Sequence, residues 1–354
     1  PYLGLTYTPF VLGGINFLVA IILFFQLKYL IEKKYKTGLI LMASLTFILI
    51  AAGAIFSKNI INYGEQRRYK DPVIFQTQTA YQRIVLTQWK NEYWLYLNGN
   101  QQLSTLDEHL YHEPLVHPVM NLSKSPQNIL ILGGGDGCAA REVLKYPSVE
   151  SITLVDLDPA MTDLGKNHPV FQEMNKNSFS NPKVKLINSD AFNYLENHLN
   201  FYDVIIIDFP DPKNIEINRL YTLEFYKQTY RALRPNGVLI TQSGSPYYST
   251  KAFKCIEKTI SAANFTTIPL HNQVLTMGEW GWIIGTKSIP KERLKPILKN
   301  MKFEGIETRW INYDAMQLIT SFGKDLIKLD SIEVNTIHNP VLYRYYEKGN
   351  WDLY

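Results

Sequence analysis

The sequence of 354 residues contains little cysteine and little charge, and each shortage excludes a class of protein. Only Cys138 and Cys255 are present, which rules out a disulfide framework and favours free thiols in a reducing compartment. The sequence has no CxxC or HExxH motif, so we predict no metal site. Its 36 basic and 32 acidic residues give a net charge of +4 without any block of like charges, so we expect no nucleic-acid partner.

Two long segments near the N-terminus contain no charged residue, namely Pro1–Leu27 and Thr37–Ser57. Each is long enough for a membrane-spanning helix of ~20 residues, and we predict such helices at about 10–27 and 38–56. Helices buried in a soluble core are the alternative. A signal peptide is disfavoured, because a basic start is missing and a second apolar run follows the first. Since the chain begins with Pro1 rather than Met, we expect further segments upstream.

The rest of the sequence divides into three parts by its pattern. Residues 59–72 are polar and are predicted to form a linker. Alternating β-branched and aromatic residues at 73–106 indicate a small β-domain with a hairpin turn at Asn98–Gly99–Asn100. At 107–289, where a first helix is predicted to begin at Asp107, short apolar runs alternate with helical stretches. This pattern predicts an α/β fold with a parallel, Rossmann-like sheet, closed by an antiparallel pair at FTTIPLHNQ and GWIIGTK.

Acidic residues follow three successive strands of the predicted sheet. The first strand runs into the glycine-rich turn Gly133–Gly137, which contains Asp136, and the next two strands end near Asp156 and Asp190. Ligands bind at the carboxyl ends of such strands, although each acid taken singly is also typical of a helix cap or a loop end. Because Asp136 would repel a pyrophosphate, the pattern favours a cationic nucleoside such as S-adenosylmethionine or its decarboxylated form.

Two further acids, Asp208 and Asp211, follow the fourth strand in the run DVIIIDFPDP. They could be ordinary turn residues, but Asp208 follows four apolar residues and is expected at the same edge of the sheet. Carboxylates clustered in this way require cations. A polyamine substrate would supply ammonium groups to pair with these acids, and one acid could accept a proton from an amine.

Taken together, these motifs resemble the spermidine synthases, or polyamine aminopropyltransferases, and most closely their membrane-anchored bacterial branch. The resemblance implies a class I methyltransferase-like sheet preceded by a small β-domain. The motifs that carry it are TAYQRIVLT, LNGNQQLSTLDEHLYHEPLVHP, ILILGGGDG with REVLKYP, LVDLDPAMT, SDAF, IIIDFPDP, RLYTLEFY, QSGSP and GEWGW.

The resemblance also implies residue roles. On the donor side, Asp136 is expected to bind the amino group, Asp156 the ribose and Asp190 the adenine of decarboxylated S-adenosylmethionine. Further donor-binding residues implied by the motifs are Gln82, Gln102, His112, Gly133 and Gly135.

At the reacting end, the resemblance implies that Asp208 deprotonates the attacking amine and that Tyr111 assists it. Asp211, Gln242 and Glu279 are expected to bind the acceptor.

The sequence departs from the soluble members of the family in the acceptor region. Phe209–Pro210 replaces a pair of serines, and a soluble PTYPSG segment is replaced by a region containing His271, Asn272 and Met277–Trp282. The acceptor is therefore left open between putrescine and related amines. His109, His117 and His271 are interpreted as core residues. In the C-terminal extension, predicted at 290–354, the aromatic tail is interpreted as packing.

The predicted function is aminopropyl transfer from decarboxylated S-adenosylmethionine, a co-substrate, to a polyamine such as putrescine, with no prosthetic group. The alternatives are an S-adenosylmethionine-dependent methyltransferase and a non-catalytic membrane protein that senses nucleosides or polyamines. The expected partners are a small amine, the lipid bilayer and a second copy of the chain in a homodimer. The number of basic residues, Lys and Arg together, is the same after each of the two predicted spans. The positive-inside rule therefore does not decide the orientation of the chain in the membrane. Because the charged donor is cytosolic, we expect a multi-pass protein of the bacterial inner membrane whose catalytic domain faces the cytoplasm.

Overall fold

The computed structural model describes residues 4–323 and 331–351. Its N-terminal elements are two long helices followed by four short strands. In chain order these are α1 (Gly4–Leu27), α2 (Lys33–Gln66), β1 (Val73–Gln78), β2 (Arg83–Trp89), β3 (Glu92–Leu97) and β4 (Asn100–Ser104). The strands form a small sheet in the order β1-β2-β3-β4, and β1 pairs antiparallel with β2. Asn98 and Gly99 have φ angles of 52° and 81°, as the predicted two-residue hairpin turn requires.

The second part of the chain alternates strands and helices, as the sequence predicts. Its elements are α3 (His109–Leu122), β5 (Asn128–Gly133), α4 (Cys138–Val143), β6 (Ser151–Asp156), α5 (Pro159–Asn167), α6 (Pro169–Met174), β7 (Val184–Asn188), α7 (Ala191–Leu195), β8 (Tyr202–Asp208), α8 (Ile215–Asn218), α9 (Leu223–Ala232), β9 (Leu233–Gln242), α10 (Thr250–Ala262), β10 (Thr266–Val274), β11 (Gly278–Thr286), α11 (Lys291–Lys299), α12 (Tyr313–Ile319) and α13 (Leu342–Glu347).

The large sheet has seven strands in the order β10-β11-β9-β8-β5-β6-β7. Strands β5 to β9 pair in parallel, whereas β10 and β11 are antiparallel to each other and β11 is antiparallel to β9. The predicted Rossmann-like fold class and the closing antiparallel pair are therefore confirmed. Strands β5, β6 and β7 lie next to one another toward one edge of the sheet, and the chain then returns to place β8 on the other side of β5. The strand order therefore reverses between β5 and β8. Open α/β sheets bind ligands at such a switch point.

The strands of this sheet are apolar on both faces because helices cover both. In β5, Ile129 and Ile131 belong to one buried cluster, and Leu130 and Leu132 belong to the other, all fully buried. This alternation explains why the strands appear in the sequence as continuous apolar runs. The two cores fix the carboxyl ends of the strands in place.

The structure differs from the sequence prediction at several element bounds. Helix α2 continues to Gln66, so much of the segment predicted as a linker, 59–72, is helical. Its polar residues, such as Glu65 and Gln66, are compatible with a helix, which ends at Gln66 with Arg67 as its C-cap. Helix α3 begins at His109 rather than Asp107, since the Asp107 carboxylate instead accepts hydrogen bonds from the backbone and hydroxyl of Thr276.

By contacts, the chain divides into two units. One consists of Pro1–Asn91 with Leu97–Gly99, and the other of Glu92–Tyr96 with Asn100–Tyr354. These bounds differ from the predicted domain bounds. In the first unit, Tyr7–Leu27 and Lys33–Ser57 are long and apolar enough to cross a membrane.

Candidate active site

The switch point of the large sheet brings the glycine-rich turn against the end of β8. Gly133 and Asp208 lie opposite each other in the parallel pair of β5 and β8. A Cβ atom on Gly133 would lie 2.1 Å from the backbone oxygen of Asp208, and the φ angle of Gly133 is 84°. Both facts require glycine here. The turn can therefore pass directly over the strand end that carries Asp208.

The Asp208 carboxylate is held by a tyrosine from helix α3. Tyr111 donates a hydrogen bond of 2.6 Å from its hydroxyl to Asp208 Oδ1, and its ring lies 5.4 Å from that of Trp282. Burial, together with the charge of Asp136, raises the pKa of Asp208 to about 6, although His112 and Tyr111 act in the opposite direction. Asp208 is thus an ionised base at neutral pH that takes up a proton more readily than an ordinary aspartate.

His112 lies beside Asp208 and Asp136. The facing atoms of these three residues lie within 4.8 Å of one another. His112 Nε2 is 3.8 Å from Asp136 Oδ1, while Nδ1 is 2.9 Å from Glu108 Oε2. Burial opposes protonation of His112, but Glu108 and Asp136 raise its pKa to about 9. A protonated His112 therefore offsets part of the negative charge of the site.

A buried ion pair fixes His112 from behind. Arg141 of α4 donates to both oxygens of Glu108, at 2.9 and 2.8 Å. Burial alone would raise the pKa of Glu108, but its bonds to His112 and Arg141 lower it to about 2. Neither Glu108 nor Arg141 was singled out from the sequence. Arg141 lies in the REVLKYP motif, and Glu108 lies next to the predicted helix start. Both could therefore have been chosen as candidates from the sequence.

The three predicted donor acids all accept backbone N–H groups. Asp136 Oδ1 accepts from Cys138 at 2.7 Å, and Asp156 accepts from Gly135 at 3.1 Å and from Asp158 at 2.9 Å. Burial and neighbouring acids raise the pKa of Asp156 to about 6.

Asp190, the third predicted donor acid, also contacts a side chain. It caps α7 by accepting from Asn193 at 3.1 Å and also forms an ion pair with Arg219. The helix-cap role that a single acid permits is therefore present here, and its contact with adenine stays a prediction.

Asp211, three residues after Asp208, forms a second polar group with Gln242. Gln242 Nε2 donates to the Phe209 carbonyl at 2.6 Å and to the Tyr221 hydroxyl at 2.8 Å, and it lies 3.4 Å from Asp211 Oδ1. Asp211 Oδ2 accepts a hydrogen bond of 2.6 Å from Tyr346. Tyr346 belongs to the aromatic tail interpreted as packing, and it makes this polar contact in addition to packing in a core cluster.

Glu279, the third predicted acceptor residue, pairs with His271. The other ring nitrogen of His271, Nε2, lies 3.0 Å from the carbonyl of Ser321. Burial opposes its protonation, but Glu279 and that carbonyl raise the pKa of His271. His271 therefore holds a residue of the predicted acceptor side. His117, by contrast, is fully buried between Glu142 and Tyr146, consistent with a core residue.

Two predicted donor-binding glutamines lie in the small sheet or next to it. Gln102 is in β4, where its amide donates to the carbonyls of Asn100 and Gln101 at 3.3 and 3.2 Å. Gln82 belongs to the first unit, and its backbone carbonyl accepts from Thr79 at 2.9 Å. A donor-binding role for either residue stays a prediction.

Comparison with known proteins identifies the family of the chain. The sequence model of the spermine/spermidine synthase domain matches residues 108–296. A polyamine aminopropyltransferase of Leptospira interrogans is 39% identical over 98% of this chain and 68% of its own length. One of Oceanobacillus iheyensis is 38% identical over 100% of this chain and 68% of its own length. The chain belongs to the spermine/spermidine synthase family. The resemblance to the spermidine synthases is therefore confirmed, and membership of their membrane-anchored branch stays a prediction.

Solved structures agree with this assignment. A spermidine synthase crystallised with the transition-state analogue AdoDATO has a TM-score of 0.64 and 28% identity, covering 71% of this chain and 85% of that one. The spermidine synthase of Thermotoga maritima gives a TM-score of 0.63 at the same identity, with 71% and 84% coverage. The predictions of a transferase and of aminopropyl transfer are confirmed, and the methyltransferase and non-catalytic alternatives are set aside.

Proposed function

We propose that this chain transfers the aminopropyl group of decarboxylated S-adenosylmethionine to a diamine such as putrescine, with Asp208 as the base. The observation that carries this proposal is the position of Asp208. A ligand oxygen of Asp208 lies within 4.8 Å of one of Asp136, the Tyr111 hydroxyl holds the Asp208 carboxylate at 2.6 Å, and Asp211 follows three residues later in the chain.

The reaction is a displacement at the carbon next to the sulfonium. The lone pair of the acceptor nitrogen forms the new C–N bond, the C–S bond breaks, and its electron pair converts the sulfonium into the neutral thioether methylthioadenosine. The nitrogen loses a proton to Asp208. Because an alkylamine has a pKa of ~10.4 and is protonated at neutral pH, the enzyme must supply a base and an aligned amine.

On the donor side, Asp136 pairs with the amino group of the aminopropyl tail and Asp156 accepts hydrogen bonds from the ribose hydroxyls. Both roles are supported by the backbone N–H bonds that orient each carboxylate at the carboxyl edge of the sheet. The close approach of Gly135 to Asp156 supports a nucleoside lying over this turn.

On the acceptor side, Asp211 pairs with the ammonium group of the diamine that does not react. Burial raises the pKa of Asp211, while Lys213, Tyr346 and Gln242 lower it. A buried carboxylate next to Asp208 suits a substrate with two cationic nitrogens.

We also propose that α1 and the first part of α2 anchor the catalytic domain in the membrane, with that domain in the cytoplasm. Leu18, Phe25 and Leu41 are among many large apolar side chains of these helices that are exposed. Such a surface suits lipid better than water. The cytosolic donor sets the orientation. A homodimer stays a prediction.

Two experiments test these proposals. The purified chain is incubated with decarboxylated donor and diamines of three, four and five carbons, and the products are identified by mass spectrometry. We expect methylthioadenosine and an aminopropylated diamine in equal amounts. Absence of both products contradicts the proposed function. For topology, a reporter that is active only in the periplasm is fused after Tyr354, and activity of that fusion contradicts the proposed orientation.

A further inference from the structure

The last helix of the described chain brings a side chain to the acceptor-side acid. Tyr346 of α13 donates from its hydroxyl to Asp211 Oδ2 at 2.6 Å and is only 6% exposed. The domain model ends at residue 296, and the motifs that carry the resemblance also end before this tyrosine, so they assign no role to it. Its ring also lies beside Lys213, whose Nζ is 5.6 Å from the ring centre.

Two anchors hold Tyr346 in this position. On one side, the indole N–H of Trp351 donates to the Tyr346 carbonyl at 2.7 Å, and the two rings lie 4.5 Å apart. On the other side, the fully buried Asn335 donates to the Tyr221 carbonyl at 3.0 Å and accepts from the backbone N–H of Leu342 at 3.3 Å. The segment is thus tied to the same tyrosine that contacts Gln242.

The contact has a defined effect on Asp211. A phenol donates a hydrogen bond without cancelling the negative charge of the carboxylate, whereas Lys213 Nζ, 3.9 Å from Oδ2, brings a cation. Tyr346 therefore fixes the direction of the carboxylate and leaves its charge for an ammonium group. A Cβ atom on Gly244 would lie 3.8 Å from both Asp211 Oδ1 and the Tyr346 ring, so Gly244 borders this contact.

We propose that Tyr346 is a positioning residue for the acceptor, which orients Asp211 toward the distal ammonium group of the diamine. This inference rests on the proposed function, because that function places the acceptor at Asp211. The C-terminal segment at 331–351 is then part of the acceptor site. It gives the chain a means of selecting the acceptor that is separate from the donor turn.

The test compares Tyr346→Phe with Tyr345→Phe in the chain of 354 residues. The second variant is a matched control, because Tyr345 lies on the same helix and its hydroxyl donates to Glu333 at 3.2 Å. Loss of a hydrogen bond to a carboxylate weakens binding by roughly tenfold or more. We expect Tyr346→Phe to raise the KM for putrescine roughly tenfold, with the donor KM, the kcat at saturating diamine and the melting temperature equal to those of the control.

Calorimetric titration of putrescine in the presence of methylthioadenosine gives the same comparison without turnover. We expect the Kd to rise roughly tenfold in Tyr346→Phe alone. Equal KM and Kd in the two variants would overturn the inference. So would a parallel loss of donor affinity and thermal stability, which would reduce Tyr346 to a packing residue. Failure of the unmutated chain to transfer an aminopropyl group contradicts the proposed function instead, and is seen before the variants are compared.

Discussion

The proposed donor side and the proposed acceptor side of the site are assembled from different stretches of sequence. Asp136, Asp156 and Asp190 follow three consecutive strands and are oriented largely by backbone N–H groups from their own turns. On the acceptor side, Asp211 contacts Gln242 and Tyr346, which lie far along the chain. The donor side is therefore built by local turns, and the acceptor side by tertiary packing.

This difference has a consequence for specificity. Turns whose carboxylates are fixed by neighbouring backbone can keep the same donor while other parts of the chain change. The acceptor side depends on β9, β11 and the C-terminal segment, so substitutions there can alter the choice of amine without disturbing the nucleoside. Variants that affect one side but not the other test this division.

The largest effect is expected for Asp208→Asn, where the two sides meet. An amide of the same shape accepts no proton, so kcat should fall by about 10²–10⁴-fold, the usual contribution of a general base. Donor affinity should stay within threefold, because Asp136 and Asp156 are intact. The matched control is Asp203→Asn at the opposite end of β8, where the carboxylate pairs with Arg234. Turnover in Asp208→Asn equal to that of the control contradicts the role of Asp208.

Removal of the arginine beneath the donor side is expected to reduce stability. In Arg141→Met, buried Glu108 keeps His112 but loses its guanidinium partner, and the cost is about 3 kcal/mol, or roughly a hundredfold in the folding equilibrium. Arg234→Met removes a half-exposed partner of Asp203 and should cost less than about 1 kcal/mol. The melting temperatures of the two variants, measured under the same conditions, test whether Arg141→Met loses more stability than Arg234→Met. Equal values would show that the buried pair does not brace the site.

Donor choice should depend on Asp136. Intact S-adenosylmethionine places its carboxylate near this acid, and like charges at ~4 Å repel by about 4 kcal/mol at an effective dielectric of 20, before solvent and side-chain movement reduce the effect. We expect at least a tenfold preference for the decarboxylated donor. Asp136→Asn should narrow that preference and weaken the decarboxylated donor. Calorimetry with both nucleosides decides the point, and equal binding to the unmutated chain would contradict it.

The pH dependence of transfer should have an acid limb near pH 6. Asp208 must be ionised to accept a proton, and its raised pKa of about 6 means that it becomes protonated as the pH falls through that value. The rate at saturating substrates should therefore fall about tenfold per pH unit below 6. A profile that stays flat down to pH 4.5 would show either that Asp208 is not the base or that its pKa is not raised.

The strands and the acidic residues at their ends could be predicted from the sequence alone. Continuous apolar runs marked β5 to β9, and the strand order then placed Asp136, Asp156 and Asp208 at one edge of the sheet. The topology then brings these acids together, because the carboxyl ends of parallel strands lie at the same edge of the sheet. The family motifs added Tyr111, whose contact with Asp208 spans 97 positions and has no local signal.

Contacts that depend on distant packing could not be predicted. Tyr346 reaches Asp211 across 135 positions, and nothing in the tail distinguishes it from Tyr343 or Tyr345 until the helix is placed. The extension of α2 through 59–66 was missed for another reason. The polar and charged residues of this segment were interpreted as the end of the helix. Such residues end an apolar segment, but they do not end a helix.

The most direct test of aminopropyl transfer uses decarboxylated S-adenosylmethionine labelled separately in its methyl group and in its aminopropyl carbons. The chain is incubated with putrescine and each labelled form of the donor, and the masses of the products are measured by mass spectrometry. The account predicts that the aminopropyl label moves to the diamine while the methyl label stays in methylthioadenosine. A methyl label on the amine, or an aminopropyl label that remains with the nucleoside, would contradict it.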